Sequence, residues 1–251
     1  MFFKSNHDVT RSFLAAIAVA CSVAVVTTIS ADVINVQYPS GSNNGGYSAY
    51  NGTGAAADTG TFWNQVNTNA TGLKDSQGSA TGISITNWDS NIMGAYTQTG
   101  GDNNALLQSY WFWGGGQTGS FTITGLNPGS SYGLYLYAAA GEVGNGQGAA
   151  FVANGGYLGE TNGGLSNATA TTIPTSDLGI SYVEGTVVAD TNGDISVSMG
   201  SNTTKPTFGP IFNGFQLITP AVPEPATLGL FALGALDLLL VGRKRSARPN
   251  A

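Results

Sequence analysis

The chain has 251 residues, of which 41% are hydrophobic and only 9% are charged, with 37 glycines and a formal net charge of −6. Six of the eight basic residues lie before residue 32 or after residue 222, so the middle segment, 32–222, has a net charge of −9 and contains no arginine, histidine or cysteine. This segment therefore excludes a Ser-His-Asp triad, a Cys-His dyad, a His/Cys zinc site and thiol redox chemistry, and its charge repels nucleic acid and anionic membranes.

The N-terminal segment predicts export. Lys4 and Arg11 precede an apolar run at 13–26, and small polar residues follow to Ala31. A charged start, an apolar centre and a small-residue exit are the parts of a secretory signal peptide. An uncleaved anchor is the alternative, but about 14 apolar residues are short for a membrane span. We therefore predict that residues 1–31 form a signal helix that is handled by the Sec translocon and signal peptidase.

The middle segment predicts an all-β fold. Short β-branched and aromatic runs alternate with Gly, Asn and Pro turns, which is typical of an antiparallel β-sandwich or jelly roll. The predicted strands are 33–38, 59–63, 82–88, 120–124, 132–139, 149–153, 182–189, 194–199 and 212–218. The Gly-rich stretches 40–54, 141–148 and 155–172 are predicted to be loops. The predicted sandwich domain spans 32–219.

One aromatic run is a candidate ligand site. Tyr110, Trp111, Phe112 and Trp113 are consecutive and precede three glycines. In a strand, four consecutive side chains place two on each face, so one pair enters the core while the other can stay exposed and stack on sugar rings. Tyr110, Trp111 and Trp113 are therefore the candidate ligand-binding residues. The alternative is that sheet and loop cover both faces.

Two local motifs support the sandwich. Leu126-x-Pro128 before Tyr132 resembles the tyrosine corner of fibronectin type III and related sandwiches, in which the phenol bonds nearby backbone. Asn192-Gly193 lies between two apolar runs and predicts a tight hairpin turn. Neither motif indicates a particular function.

The segment around that turn also has spaced oxygen ligands. Asp190, Asn192 and Asp194 have the spacing of the first three ligands of a calcium loop. An EF-hand loop needs Gly at its sixth position and Glu at its twelfth, and here these positions are Ile195 and Ser201. The turn is therefore the favoured interpretation. We predict no cofactor and no metal ligand, while a structural calcium ion at another loop stays open.

The two ends of the middle segment resemble known jelly rolls. The run 208–218 is similar to the last strand of galactose-binding-like and malectin-like domains, and those domains often begin with a strand like Ile34-Asn35-Val36. The resemblance implies a jelly roll in which the first and last strands lie side by side.

Carboxylates are the only groups left for catalysis. A glycosidase needs two of them about 5 to 10 Å apart. The candidates are Asp58, Asp89, Asp102, Glu142, Glu160 and Glu184. No motif pairs them, so we predict no catalytic residues and a non-enzymatic protein. A carboxylate-dependent glycoside-active enzyme is the alternative, and an inert structural surface protein without glycan affinity is another.

Three parts follow one another at the C-terminus: a Pro-Glu-Pro motif, an apolar stretch and a basic cluster. They are Pro223-Glu224-Pro225, residues 226–241 and Arg243-Lys244-Arg245. A helix over the apolar stretch would be about 24 Å long, shorter than the bilayer core of about 30 Å, and it contains Asp237. The combination resembles the PEP-CTERM sorting signal of bacterial exported proteins, here 220–251.

That resemblance implies a route for the protein. An exosortase-type membrane enzyme would cleave near the Pro-Glu-Pro motif after transient insertion of the apolar helix in the inner membrane. The domain would then pass to the cell envelope surface or the extracellular matrix of a biofilm, where exopolysaccharide is a candidate partner. A plain C-terminal anchor is the alternative.

Overall fold

Strands make up most of the described part of the chain. The structure, a computed structural model, describes residues 32–38, 49–57, 60–89, 105–140, 147–164, 168–169 and 171–220, and the backbone alone for 94–97. These residues belong to the compact unit Ala31–Pro220. The predicted signal helix and the predicted C-terminal helix lie outside the described residues. Among the residues described, no helix has the length and apolar character needed to cross a membrane.

Thirteen strands and two short helical turns are described. In chain order they are β1 (Val33–Gln37), β2 (Asn64–Gln65), β3 (Ser84–Thr86), β4 (Gly94–Thr97), α1 (Ala105–Gln108), β5 (Ser109–Phe112), β6 (Gly119–Thr124), β7 (Ser131–Tyr137), β8 (Ala150–Ala153), β9 (Gly156–Glu160), a 3₁₀ turn (Thr175–Asp177), β10 (Tyr182–Val188), β11 (Ile195–Gly200), β12 (Ile211–Phe212) and β13 (Gly214–Ile218).

The strands form three sheets. Sheet I has the order β10-β7-β13-β1-β2, sheet II has the order β3-β6-β11-β8-β9, and sheet III has the order β12-β5-β4. Within these sheets β1 and β2 pair in parallel, and the other described pairs are antiparallel. The expected antiparallel β-sandwich is confirmed.

Alternating side chains build the core between sheets I and II. In β7, Tyr132, Leu134 and Leu136 are buried in the core, while the residues between them face the other way. Full burial of one leucine side chain contributes about 2 kcal/mol. The largest contributors from both sheets are Ile34, Val36, Ile85, Phe121, Ile123, Leu134, Leu136, Phe151, Ile195, Val197, Met199, Phe215 and Leu217.

The first and last strands lie side by side, as expected. β1 pairs with β13 over their whole length, from Val33 opposite Ile218 to Gln37 opposite Gly214. Beyond the strands, the Thr219 N–H donates to the Asp32 carbonyl oxygen at 2.8 Å. Both ends of the described domain therefore lie at one pole of sheet I.

The tyrosine corner is confirmed. The phenol oxygen of Tyr132 accepts a hydrogen bond from the Asn127 N–H at 2.8 Å, and the ring is buried in the core. The bond fixes the loop before β7 at the point where the chain enters sheet I.

The turn at Asn192-Gly193 is present, but the predicted hairpin is wrong. β10 pairs with β7 in sheet I, whereas β11 pairs with β6 and β8 in sheet II, so the turn connects the two sheets. The Asp190 Oδ1 accepts the N–H groups of Asn192 at 2.8 Å and Asp194 at 2.9 Å. Gly193 has a φ of +79°, and a Cβ there would lie 2.2 Å from the Leu126 carbonyl oxygen.

Several elements differ from the predictions. β9 lies inside the predicted loop 155–172, where it pairs with β8 through an irregular register. Residues 60–63 of the predicted strand 59–63 form no strand, and the short β2 follows them instead. α1 and β4 were not predicted. Glycine-rich sequences lack the periodic side chains that mark a strand, and here backbone pairing alone makes one.

Candidate functional site

The predicted aromatic run lies in the core. Tyr110, Trp111 and Trp113 are 6%, 2% and 1% exposed, and only Phe112 of the run is partly exposed. β5 is the central strand of sheet III, between β12 and β4, and its side chains join the core cluster. The expected exposed aromatic pair is therefore not found. The binding role of these residues stays a prediction without the exposed surface on which it depended.

Ring-to-ring contacts explain this cluster. The Trp111 ring lies edge-on to Trp88 with centroids 4.2 Å apart and to Tyr38 at 5.0 Å. The indole N–H groups of Trp88, Trp111 and Trp113 have no hydrogen-bond acceptor among the described residues. In edge-on packing the face of one ring is a weak acceptor for the next. The cluster is thus a packing element of the core.

A different polar surface forms on sheet I. On the face that points away from the core, Asn35 lies opposite Gln216, Gln216 opposite Tyr135, and Tyr135 opposite Glu184. Paired residues share a face, so these side chains form one row across β1, β13, β7 and β10. The row begins with fully buried amides and ends at an exposed carboxylate.

A segment of the chain covers the buried end of this row. The Tyr137 phenol donates to Gln216 Oε1 and accepts the Ala55 N–H at 2.7 Å, and the same Oε1 accepts the Ala56 N–H at 3.0 Å. The Gln216 Nε2 in turn donates to Asn35 Oδ1 at 2.8 Å. We call residues 49–57 and 60–63 the covering segment. The polar atoms beneath it are therefore engaged in hydrogen bonds and do not offer a binding surface.

Close approach and aromatic contacts hold the covering segment in place. A Cβ on Gly54 would lie 2.0 Å from Gln216 Oε1, so any larger residue would have to displace this hydrogen-bonded amide. The Trp63 indole N–H donates to the Gly52 carbonyl oxygen at 3.0 Å, and its ring packs edge-on against Tyr50 at 5.1 Å. The covering segment is consequently a fixed part of the fold.

The other end of sheet I is open. We call Gly133, Tyr135, Glu184, Thr186 and Ile218 the open face. The strand pairing aligns Gly133 with both Thr186 and Ile218, next to the row of Tyr135 and Glu184. Glu184 and Thr186 are exposed and the other three are partly exposed. The Ile218 side chain lies over Gly133, with its Cβ 3.3 Å from where a Gly133 Cβ would be.

Charge and burial keep the phenols of this region neutral. Burial raises the pKa of the Tyr135 phenol, and the charge of Glu184 and its hydrogen bond with the phenol raise this pKa further. Burial also raises the pKa of Tyr182, with smaller contributions from Glu184, Tyr135 and Asp177. Neutral phenols are hydrogen-bond donors and acceptors with an apolar ring. The open face thus combines a partly exposed ring, a hydroxyl and a carboxylate, the groups that bind sugars.

The other predicted carboxylates lie outside the open face or outside the described residues. Asp58, Asp102 and Glu142 lie outside the described residues, and Glu160 accepts the Thr203 N–H at 3.0 Å. Among the residues that the structure describes, no group of three His, Cys, Asp or Glu side chains could hold a metal ion. A structural calcium ion stays an untested alternative.

The two lysines of the described domain lie outside the strands of sheet I. The Lys74 Nζ is 5.4 Å from the centre of the Phe62 ring, and the Lys205 Nζ is 5.7 Å from that of Phe208. Both rings are large exposed hydrophobic groups. Each lysine therefore makes a cation–π contact in a loop, and neither belongs to the open face.

The open face was not a predicted site. Tyr135 and Glu184 are 49 positions apart in the chain, and only the pairing of β7 with β10 brings them together. The alternation in 131–137 could have indicated an outward Tyr135, but the sequence does not show which outward positions a later segment covers.

The predicted sorting residues lie after the last described residue, Pro220. They are Pro223, Glu224, Pro225, Arg243, Lys244 and Arg245. Residues 221–246 match the family model of the PEP-CTERM protein-sorting motif. The predicted resemblance to this sorting signal is confirmed, and the motif implies export and processing by exosortase-type machinery linked to the membrane. The individual roles of these six residues stay predictions.

Solved structures with similar folds include plant and bacterial domains. The ANX2 ectodomain from Arabidopsis thaliana is 13% identical, with 63% of this chain and 50% of that chain covered and a TM-score of 0.38. A family 35 carbohydrate binding module from Clostridium thermocellum is 17% identical, with 55% and 92% covered and a TM-score of 0.29. A CBM35 from Cellvibrio japonicus is 16% identical, with 52% and 81% covered and a TM-score of 0.29. The chain spans about half the length of the plant ectodomains that it matches, and no curated protein sequence matches it.

Proposed function

We propose that the chain is an exported bacterial cell-surface or matrix protein whose β-sandwich binds polysaccharide at the open face without catalysing a reaction. The observation that carries the proposal is the Tyr135 ring, partly exposed and directly opposite the Glu184 carboxylate on the neighbouring strand. An aromatic ring stacks on a pyranose, while the carboxylate and the Thr186 hydroxyl accept hydrogen bonds from sugar hydroxyls.

Sorting places this domain outside the cell. The route begins with Sec export, continues with transient membrane insertion of 226–241, and ends with cleavage near Pro223-Glu224-Pro225 by an exosortase-type enzyme. The chain would then be held at the envelope surface or in a biofilm matrix. An acidic domain without cysteine suits that location because it needs no defined redox state.

The charge pattern of the open face supports a binding role over hydrolysis. A glycosidase places two carboxylates about 5 to 10 Å apart on either side of the scissile bond. Of the five residues of the open face, Glu184 alone is a carboxylate. One carboxylate beside an aromatic ring suits recognition, since it orients a sugar without providing both an acid and a nucleophile.

A glycan array tests this proposal. The full-length chain, purified in mild detergent, is compared with Tyr135→Ala and with Tyr157→Ala as the matched control. Tyr157 is 65% exposed and lies on β9 of sheet II, so its loss removes an aromatic ring from a different surface. We expect the first variant to lose about tenfold in apparent affinity, equivalent to about 1.4 kcal/mol, and the control to bind like the parent chain.

Two results would contradict the proposal. If the parent chain retains no glycan, the protein is an inert surface component. If it binds glycans and Tyr135→Ala binds equally well, the binding surface lies elsewhere. Circular dichroism of each variant checks that a loss of binding does not come from unfolding.

A further inference from the structure

The open face has the chemistry of a site for positive charge. The Glu184 carboxylate is exposed and aligned across the strands with the Tyr135 ring. Carboxylates attract ammonium groups directly, and the face of a tyrosine ring attracts cations through its quadrupole. A ligand with an ammonium group would gain from both neighbours, whereas a sugar carboxylate would be repelled by Glu184.

The surrounding charge favours the same ligand class. Residues 32–222 have a net charge of −9, with Lys74 and Lys205 as the only cations. Both lysines lie over phenylalanine rings in loops, and neither is a residue of the open face. A uronate polymer would therefore meet a repulsive field and no cationic partner on this face. A polycation would be attracted to it from a distance.

The shape of the open face suits a ring next to the charge. Gly133 is two residues before Tyr135 on β7 and therefore on the same face, and Ile218 lies opposite it on β13. The Ile218 side chain packs over Gly133, and the two form an apolar surface next to Tyr135. Thr186 borders this surface from β10. A pyranose could rest there with one substituent pointing at Glu184.

From these observations we infer that the ligand of the open face is a polysaccharide of amino sugars with free amines, bound through an ammonium group between Glu184 and the Tyr135 ring. This inference rests on the proposed polysaccharide-binding function and names its ligand class. Exposed ion pairs are weak, so we expect a preference of about fivefold per bound ammonium over the N-acetylated sugar, which corresponds to about 1 kcal/mol.

Matched oligosaccharides test the inference. Isothermal titration of the full-length chain uses glucosamine tetramer, N-acetylglucosamine tetramer and galacturonate tetramer, in mildly acidic buffer of low salt, where the amines are protonated. Two variants are titrated in the same way, Glu184→Gln and Asp190→Asn. Both change the net charge by one unit, but Asp190 lies in the turn after β10, and the asparagine keeps the oxygen that accepts the N–H groups of Asn192 and Asp194.

The inference predicts one pattern of results. Glucosamine tetramer binds about fivefold more tightly than the N-acetylated tetramer, galacturonate tetramer binds most weakly, and Glu184→Gln removes the preference while Asp190→Asn keeps it. Added salt weakens the glucosamine complex more than the N-acetylated one, because salt screens exposed charges.

Other patterns overturn it in distinguishable ways. If both glucosamine forms bind equally and Glu184→Gln changes neither, or if galacturonate binds best, the inferred ligand class is wrong while polysaccharide binding stands. If Asp190→Asn removes the preference as fully as Glu184→Gln, general charge and not the open face is responsible. If no tetramer binds and the glycan array is also blank, the proposed function fails, and the inference fails with it.

Discussion

The Tyr137 hydroxyl is the link between sheet I and the covering segment, so Tyr137→Phe should loosen that segment specifically. The side chain is completely buried, and its ring packs against Trp63 at 6.3 Å and Tyr182 at 5.8 Å. Phenylalanine keeps these ring contacts. The variant loses only the donor to Gln216 Oε1 and the acceptor of the Ala55 N–H.

The structure gives the expected size of this effect. Gln216 Oε1 loses the Tyr137 donor but still accepts the Ala56 N–H at 3.0 Å, so this oxygen keeps one of its two hydrogen bonds. The Ala55 N–H loses its acceptor, and an unsatisfied buried donor costs about 1–3 kcal/mol. Because Ala55 is only partly buried, we expect the free energy of unfolding to fall by about 1–2 kcal/mol. For a domain of this size that corresponds to a melting temperature about 4 °C lower.

Hydrogen exchange by mass spectrometry distinguishes a local from a global effect. In Tyr137→Phe the amides of 49–57 should exchange faster, by more than those of β11 in sheet II. Tyr157→Phe, at an exposed position, is the control and should change stability by less than about 0.5 kcal/mol. Unchanged exchange at 49–57, together with unchanged stability, would refute the assignment of Tyr137 as the anchor of the covering segment.

Four further predictions follow from the described contacts and from the sorting motif. Trp111→Ala should lower the free energy of unfolding by about 3–5 kcal/mol in a denaturant titration, since the ring is buried, and a fully stable variant would contradict its place in the core. Gly209→Ala should lower the melting temperature strongly, because a Cβ there would lie 1.5 Å from the Trp113 carbonyl oxygen. Gly82→Ala is the control, since a Cβ at Gly82 meets nothing within 4 Å. Equal melting temperatures of the two variants would disprove the close approach of Gly209 to the Trp113 backbone. Burial raises the pKa of the Tyr137 phenol well above its ordinary value, so the stability that the neutral phenol contributes is present below about pH 10. Above that pH the phenol of the unfolded chain ionises, and the free energy of unfolding falls by about 1.4 kcal/mol per pH unit. Urea titrations at rising pH should therefore show a smaller fall in Tyr137→Phe, and equal falls would contradict the burial of a neutral Tyr137 phenol. Glu224→Gln should slow C-terminal processing in a host with an exosortase, measured by mass spectrometry, and a mature C-terminus at 251 in the parent chain would contradict the sorting role.

Local signals in the sequence predicted much of the fold. The alternating run in β7 follows from side-chain period and the Tyr132 corner from a fixed spacing, whereas the pairing of β1 with β13 was implied by the resemblance to known jelly rolls. Most strands of the sandwich could therefore be predicted from the sequence. β9 was not, because Gly156 and Gly159 interrupt its pattern and its strand geometry comes from pairing with β8.

The candidate site depended on long-range geometry. The sequence places four aromatics in one run, and whether they face solvent depends on what packs on the faces of β5. Here the Trp111 ring contacts Trp88 and Tyr38, which are distant in the chain. The open face joins residues of β7, β10 and β13, and its limits depend on where the covering segment ends. The register of the strands, and which part of a sheet another segment covers, are properties of the whole fold. Residue spacing therefore predicted the strands but not the exposed site on them.

Protection of backbone amides by a bound glycan tests the central claim most directly. Hydrogen exchange of the full-length chain is measured with and without the glycan that gives the strongest array signal. Binding at the open face predicts slower exchange in 131–137 and 182–188, with 109–113 unchanged. Protection confined to 109–113, or to the loops around Phe62 and Phe208, would contradict the account.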